Sequence, residues 1–218
     1  MIPMLEDMKS SAEFGQTLYL TGHSRRQRTY PTDWSSWEDL ITVAPDIGTG
    51  VVIFRGQGES VAVAPPFPLP QDSMHGRFEA NPLIALFEKQ VTVGVILLRL
   101  GYYSIAVLQK ENILTSKTGT RYVKNRHRKG GSSQRRFERS RDRLIRELFD
   151  KVCVTAYELF DPYKDKLNYL FLGGEKHTLS SFERRCSYLK RSQIQLMGRR
   201  LAVNRPGSVA LTRIHHEI

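Results

Sequence analysis

One stretch of the 218-residue chain sets small, hydroxyl, amide and cationic side chains in close order: Lys129-Gly130-Gly131-Ser132-Ser133-Gln134-Arg135-Arg136-Phe137. Gly130 and Gly131 carry no Cβ, so their backbone can approach a ligand closely and can adopt positive φ. Ser132 and Ser133 add hydroxyls to a small tip. Gln134 brings an amide that donates and accepts but does not titrate. It can orient water or a hydroxyl, and it cannot serve as a general base. The arginines that follow open a helix, where unpaired N–H groups favour phosphate. Such a stretch suits one kind of chemistry, the placement of a polar group inside a narrow anionic cavity. Gly-Gly-Ser-Ser alone is a linker composition; its basic surroundings set this copy apart.

The surroundings carry the charge of the chain. The formal net charge is +11, with 33 Lys+Arg and 22 Asp+Glu. Residues 1–90 hold 7 Lys+Arg against 11 Asp+Glu, a net of −4, and residues 91–218 hold 26 against 11, a net of +15. Lys117, Arg121, Lys124, Arg126, Arg128 and Lys129 form a run without an acid. Residues 135–146 add six arginines against Glu138 and Asp142, and Arg184 to Arg205 adds seven basic residues and no acid. An acid-free run joined to an arginine-rich helix is the footprint of a polyanion binder, and nucleic acid fits it better than a membrane surface.

The elements that must position this stretch follow from the pattern of apolar residues. Residues 4–15 predict a short helix and Thr17 to Leu20 a strand, and residues 21–36 predict a loop. Val51–Phe54 and Ser60–Ala64 predict a hairpin around Gly56-Gln-Gly58. Pro65, Pro66, Pro68 and Pro70 then impose an extended segment. Composition and charge change near residue 90. This predicts a small N-terminal α+β domain over 1–90 and a larger α/β domain over 91–218. In the second domain Val91–Leu98 predicts a buried strand, Tyr102–Leu108 its hairpin partner and Ile113–Ser116 a third strand. A basic loop follows over 117–133, long enough to be functional.

After the loop the apolar period becomes helical. Phe137, Leu144, Ile145, Leu148, Phe149, Val152, Ala156, Leu159 and Phe160 recur at spacings of three and four. They predict a long basic helix over 134–160, about 40 Å in length, stopped by Asp161-Pro162. Its apolar residues gather in the later turns, so the basic first half projects outward. Leu167–Leu172 predicts a central strand. Thr178 or Ser180 predicts a helix start, Ser180 with Glu183 fitting a capping box. Leu201–Val203 predicts an edge strand, and Pro206-Gly-Ser208 opens a terminal helix.

At this point the sequence resembles a known family. Lys129-Gly-Gly-Ser-Ser-Gln-Arg-Arg-Phe-Glu-Arg-Ser-Arg141 is similar to the catalytic loop and following helix of the eukaryotic and archaeal class 1 peptide-chain release factors. Those read Gly-Gly-Gln, then a few residues, then Arg-Phe and further arginines. Gly50–Gly56, Pro65–Pro68, Gly94–Leu98 and Tyr169–Gly174 extend the resemblance in the right order over roughly residues 46–218. Two serines separate Gly131 from Gln134. That spacing is closer to the release-factor-like ribosome quality-control proteins, the Vms and ankyrin-repeat/zinc-finger peptidyl-tRNA hydrolases. The stop-codon-reading motifs, the third release-factor domain, the zinc finger and the ankyrin repeats have no counterpart. The resemblance implies a mixed-sheet catalytic domain like the second domain of a release factor. It also implies a codon-independent rescue factor that hydrolyses the peptidyl-tRNA ester of stalled nascent chains in the large-subunit peptidyl-transferase centre.

The roles implied are residue by residue. Gln134 would position water or the terminal ribose 2′-OH, Gly130 and Gly131 would give clearance, and Ser132 and Ser133 would shape the tip. Lys124, Arg126, Arg128, Lys129, Arg135, Arg136 and Arg139 would hold phosphates of large-subunit ribosomal RNA or of the peptidyl-tRNA. Two alternatives stay open: a tRNA acceptor-end (CCA) endonuclease with His127 as base, and a noncatalytic ribosome- or tRNA-binding factor. No cofactor is implied, nucleotide or metal. His215-His216 lacks a metal-ligand spacing, and Gly48-Thr-Gly50 is not a phosphate fingerprint because no helix follows it. Two cysteines, Cys153 and Cys186, make no disulfide framework and predict a reduced pair, Cys153 being a core residue. No apolar run reaches membrane-spanning length and no secretory signal opens the chain, so the expectation is a cytoplasmic monomer without a membrane partner.

Overall fold

Runs of β-branched and aromatic residues in the first 90 positions form strands that bury one another. The computed structural model describes residues 2–10, 14–22, 48–124 and 134–218, and it divides into two compact units, Met1–Lys89 and Gln90–Ile218. In the first unit a helix, α1 (Ile2–Ser10), precedes the strands β1 (Phe14–Leu20), β2 (Val51–Gly56), β3 (Ser60–Val63) and β4 (Ser73–His75), and α2 (Asn81–Glu88) closes the unit. The sheet order is β3-β2-β1-β4 and every pair is antiparallel. Leu5, Met8, Tyr19, Val52, Phe54, Val63, Leu69, Ala80 and Leu83 form its core. The Tyr19 hydroxyl donates to the Glu79 carbonyl at 2.8 Å, which satisfies the one polar atom that the buried ring carries in.

The second unit is built on β5 (Thr92–Arg99), buried along all but its last residue. β5 pairs antiparallel with β6 (Tyr102–Gln109), which pairs antiparallel with β7 (Asn112–Thr120). On its other side β5 pairs parallel with β8 (Leu167–Gly174), and β8 pairs parallel with β9 (Gln195–Leu201). The described strands of this unit thus form a mixed sheet in the order β7-β6-β5-β8-β9, and the fold class is α/β. The long helix α3 (Gln134–Phe160) connects β7 to β8. A parallel neighbour demands such a crossover, because a hairpin can return the chain only antiparallel. After β8 come α4 (Lys176–Arg185), α5 (Ser187–Arg191), β9 and α6 (Ser208–Arg213).

The helix α3 is anchored by one end. Leu148, Phe149, Val152, Ala156 and Phe160 are buried against Ile96, Leu98, Ile105, Leu170 and Leu172 of the sheet and Leu179 and Phe182 of α4. Each large side chain buried in this way contributes about 1.5–3 kcal/mol. From Gln134 to Arg139 every residue is exposed. Phe137 belongs to the apolar stripe by spacing but is 49% exposed. Glycine is required at two places in the sheet. A Cβ on Gly94 would come within 3.1 Å of the Phe160 ring. Gly174 has φ +133° and lies against the Leu98 carbonyl oxygen, where a side chain has no room.

The structure corrects five sequence expectations. The helix expected over residues 4–15 ends at Ser10, and Phe14 and Gly15 belong to β1. β7 runs to Thr120, so Lys117–Thr120 belong to a strand and the connection begins at Arg121. α4 begins at Lys176 with Glu175 at its N-cap and no side-chain capping bond, so the Ser180–Glu183 box does not form. The Thr178 hydroxyl instead donates to the Glu175 carboxylate at 2.7 Å. The edge strand is Gln195–Leu201 and ends where Leu201–Val203 was expected to begin. Cys153 and Cys186, expected to be reduced, are joined in a disulfide across 33 residues of sequence. Packing α4 on α3 brings the two together, and their spacing in the chain says nothing of that.

Candidate nucleic-acid interface

The first turn of α3 has a charge pattern that opposes helix electrostatics. The N-terminal end of a helix is partially positive and favours acidic side chains. α3 has no acid in its first turn and places Arg135 and Arg136 there, both exposed. Such a start costs stability in isolation. It becomes favourable when an anion neutralises the arginines and accepts from the first N–H groups, which have no intrahelical partner.

The arginines of α3 divide into two sets. Arg121, which follows β7, meets Glu147 at 2.7 Å, and Arg143 lies 3.8 Å from the same carboxylate. The hydrogen bond from Arg121 holds the Glu147 carboxyl below its ordinary value of 4.5. A lowered carboxylate contributes its stabilisation above the unfolded value and loses it as pH falls through the folded one. The tie is therefore complete at neutral pH. Arg141 donates from Nε to the Lys124 carbonyl at 3.0 Å. Arg135, Arg136, Arg139 and Arg146, in contrast, have no carboxylate partner within salt-bridge distance among the described residues. These four arginines are candidates for contact with a polyanion.

Gln134 is the first residue of α3 and is exposed. Its Nε2 donates to Glu138 Oε1, one helical turn on, at 3.0 Å. This contact fixes one N–H of the amide and leaves its oxygen and second N–H to other partners. Lys124, expected among the phosphate-binding cations, is engaged within the protein: its Nζ lies 3.1 Å from Ser140 Oγ and 5.6 Å from the centroid of the Phe137 ring. Gly130, Gly131, Ser132, Ser133, Arg126, His127, Arg128 and Lys129 lie outside the described residues. Sequence reasoning missed Glu138, Ser140, Arg141 and Glu147. The signal that could have found Ser140 and Arg141 is their position three and four residues after Phe137, on one helix face.

No group of three or more His, Cys, Asp or Glu among the described residues could hold a metal ion. His215 and His216 lie side by side in the turn after α6, with ring centroids 3.9 Å apart and planes tilted by 44°. No described helix is long and apolar enough to cross a membrane.

The profile of the Actinobacteria/chloroflexi VLRF1 release factor family matches residues 91–218. That match covers more than half of the chain and includes the whole of α3. The chain belongs to this release-factor family. Peptide chain release factor subunit 1 of Archaeoglobus fulgidus is 33% identical over 138 residues, covering 62% of this chain and 34% of that protein. The chain thus spans about a third of the length of that relative. Among solved structures, the archaeal translation termination factor aRF1 superposes with a TM-score of 0.42 and 16% identity, over 99% of this chain and 70% of that one. The Vms1 mitochondrial localization core superposes with a TM-score of 0.43 and 15% identity, over 86% of this chain and 81% of that one.

Proposed function

We propose that the protein is a codon-independent ribosome rescue factor. It hydrolyses the ester between a stalled nascent chain and its tRNA in the peptidyl-transferase centre of the large subunit. The observation that carries this reading is the start of α3. Gln134 opens the helix directly after Gly-Gly-Ser-Ser, and arginines without carboxylate partners among the described residues surround it. Membership of a release-factor family supports ester hydrolysis as the reaction. The two serines between Gly131 and Gln134 favour the Vms and ankyrin/zinc-finger type of quality-control hydrolase.

In the proposed reaction a water oxygen attacks the ester carbonyl, the bond to the ribose 3′ oxygen breaks, and the proton ends on that oxygen. Gln134 positions the water or the terminal ribose 2′-OH, and its backbone N–H donates to the developing oxyanion. Gly130 and Gly131 give the backbone clearance, and Ser132 and Ser133 shape the tip. Arg126, Arg128, Lys129, Arg135, Arg136 and Arg139 hold ribosomal RNA and tRNA phosphates, with charge-assisted bonds that arginine makes in pairs. Residues 91–218 form the catalytic domain, residues 1–90 a small companion domain, and the chain acts as a cytoplasmic monomer.

The test is peptide release from stalled large-subunit–peptidyl-tRNA complexes, wild type beside Gln134→Ala. Release falls about a hundredfold, in line with the loss of one positioned polar group, while binding to the complex persists. The tRNA leaves with an intact CCA end; a shortened end would instead mark the chain as an endonuclease.

A further inference from the structure

The chain from Lys117 in the second half of β7 to Lys124 runs antiparallel along α3, and three ties mark its path. Lys117 meets Glu158 at 3.8 Å, Arg121 meets Glu147 at 2.7 Å, and Lys124 meets Ser140 at 3.1 Å. As the numbers of the strand side rise, those of the helix fall. The last tie lies closest to Gln134 and is the most elaborate. The Lys124 ammonium donates to Ser140 Oγ and stands over the Phe137 ring, while the Lys124 carbonyl accepts from Arg141 Nε. Phe137, Ser140 and Arg141 share one face at spacings of three and four. One residue thus engages that face through both its side chain and its backbone.

This tie falls well ahead of the side chains that anchor α3 in the core, of which Ile145 is the first partly buried one. The buried anchors of the helix begin at Leu148. That leaves fourteen residues, about 21 Å of helix, ahead of the first buried side chain. Ends of that kind fray unless they are tied down. Arg141 is half-buried and spends its Nε on a neutral carbonyl, which no requirement for charge explains.

We infer that Lys124 and Arg141 are positioning residues, whose clasp on the Phe137–Arg141 face holds the first turns of α3 and so fixes Gln134 for the reaction. The role in catalysis rests on the proposed release activity; the clasp itself does not. Lys124 acts here through Gln134 and is not a phosphate ligand.

Three variants of the full chain test it: Arg141→Met, Arg141→Gln and Lys124→Met. Gln carries an N–H donor on the same carbon that bears Arg Nε, so Arg141→Gln keeps a donor for the Lys124 carbonyl and removes the charge. The two replacements at Arg141 have helix propensity similar to that of Arg. In hydrogen exchange, residues 134–145 exchange at least threefold faster in Arg141→Met and Lys124→Met, and Arg141→Gln stays near wild type. β5 and β8 exchange at the wild-type rate in all three. In release assays Arg141→Met and Lys124→Met lower kcat at least tenfold with KM and its salt dependence unchanged, and Arg141→Gln recovers most of kcat. A phosphate contact behaves differently: KM rises, the salt slope falls by about one unit, and Arg141→Gln is as impaired as Arg141→Met. That pattern, or wild-type exchange over 134–145 in both Met variants, overturns the clasp. A wild-type chain without release activity sinks the proposed function, and hydrogen exchange still decides the clasp.

Discussion

At the scale of single residues, Arg135 and Arg136 set helix stability against the proposed binding. Each is a cation at the positive end of a helix, the reverse of the arrangement that stabilises helices. Replacing both with Gln is expected to stabilise the protein by a few tenths of a kcal/mol per site at low ionic strength. The same double variant weakens binding to the ribosomal complex. Thermal unfolding and binding measured on one preparation check both signs; a loss of stability on substitution contradicts the account. Arg141 and Lys124 look identical to these residues in the sequence. All are basic residues near one loop, and only the folded chain separates the cations spent internally from those left for an anion.

At the scale of elements, α3 is a lever fixed by its C-terminal half. Its packing is reinforced by the bond between Cys153 and Cys186, which ties the helix to the end of α4 across 33 residues. In the loop-entropy description a cross-link of that span contributes about 3–4 kcal/mol. Denaturant unfolding with and without reductant is expected to differ by that amount, and coincident midpoints contradict it. Elements with a strong period were legible in the sequence. The alternation and apolar runs of β2, β3, β5, β6 and β8 and the 3.6-residue stripe of α3 announce themselves because burial on one face leaves a periodic trace. Elements defined by tertiary partners were not. β9 has adjacent Leu196 and Met197 followed by Gly-Arg-Arg, with no apolar alternation, and is a strand because β8 offers it an edge. α4 starts at Lys176 because its buried residues Thr178, Leu179 and Phe182 must face the core, which overrides the local capping signal at Ser180. The disulfide and the Lys124 clasp join residues whose separation carries no signal at all.

At the scale of the whole molecule, the charge divides along the same line as the fold. The unit Met1–Lys89 has a net charge of −4 and the unit Gln90–Ile218 a net of +15. The sum of +11 therefore understates how basic the release-factor unit is. With roughly six phosphate contacts, the logarithm of the association constant for the ribosomal complex is expected to fall against log salt with a slope of about −4 to −5. Replacing Arg139 by Gln makes that slope shallower by nearly one unit, and an unchanged slope removes Arg139 from the interface. The basic helix and the membership of a release-factor family were legible in the sequence because they rest on local pattern. The division of the cations was not, because it depends on where Glu147, Ser140 and the Lys124 carbonyl stand in three dimensions. The central claim is that Gln134 carries hydrolysis of the peptidyl-tRNA ester. Peptide release from stalled large-subunit–peptidyl-tRNA complexes measures it directly. The wild-type chain frees the peptide and leaves an intact CCA end, and Gln134→Ala binds the complex yet frees almost none; release by Gln134→Ala at the wild-type rate would contradict the claim.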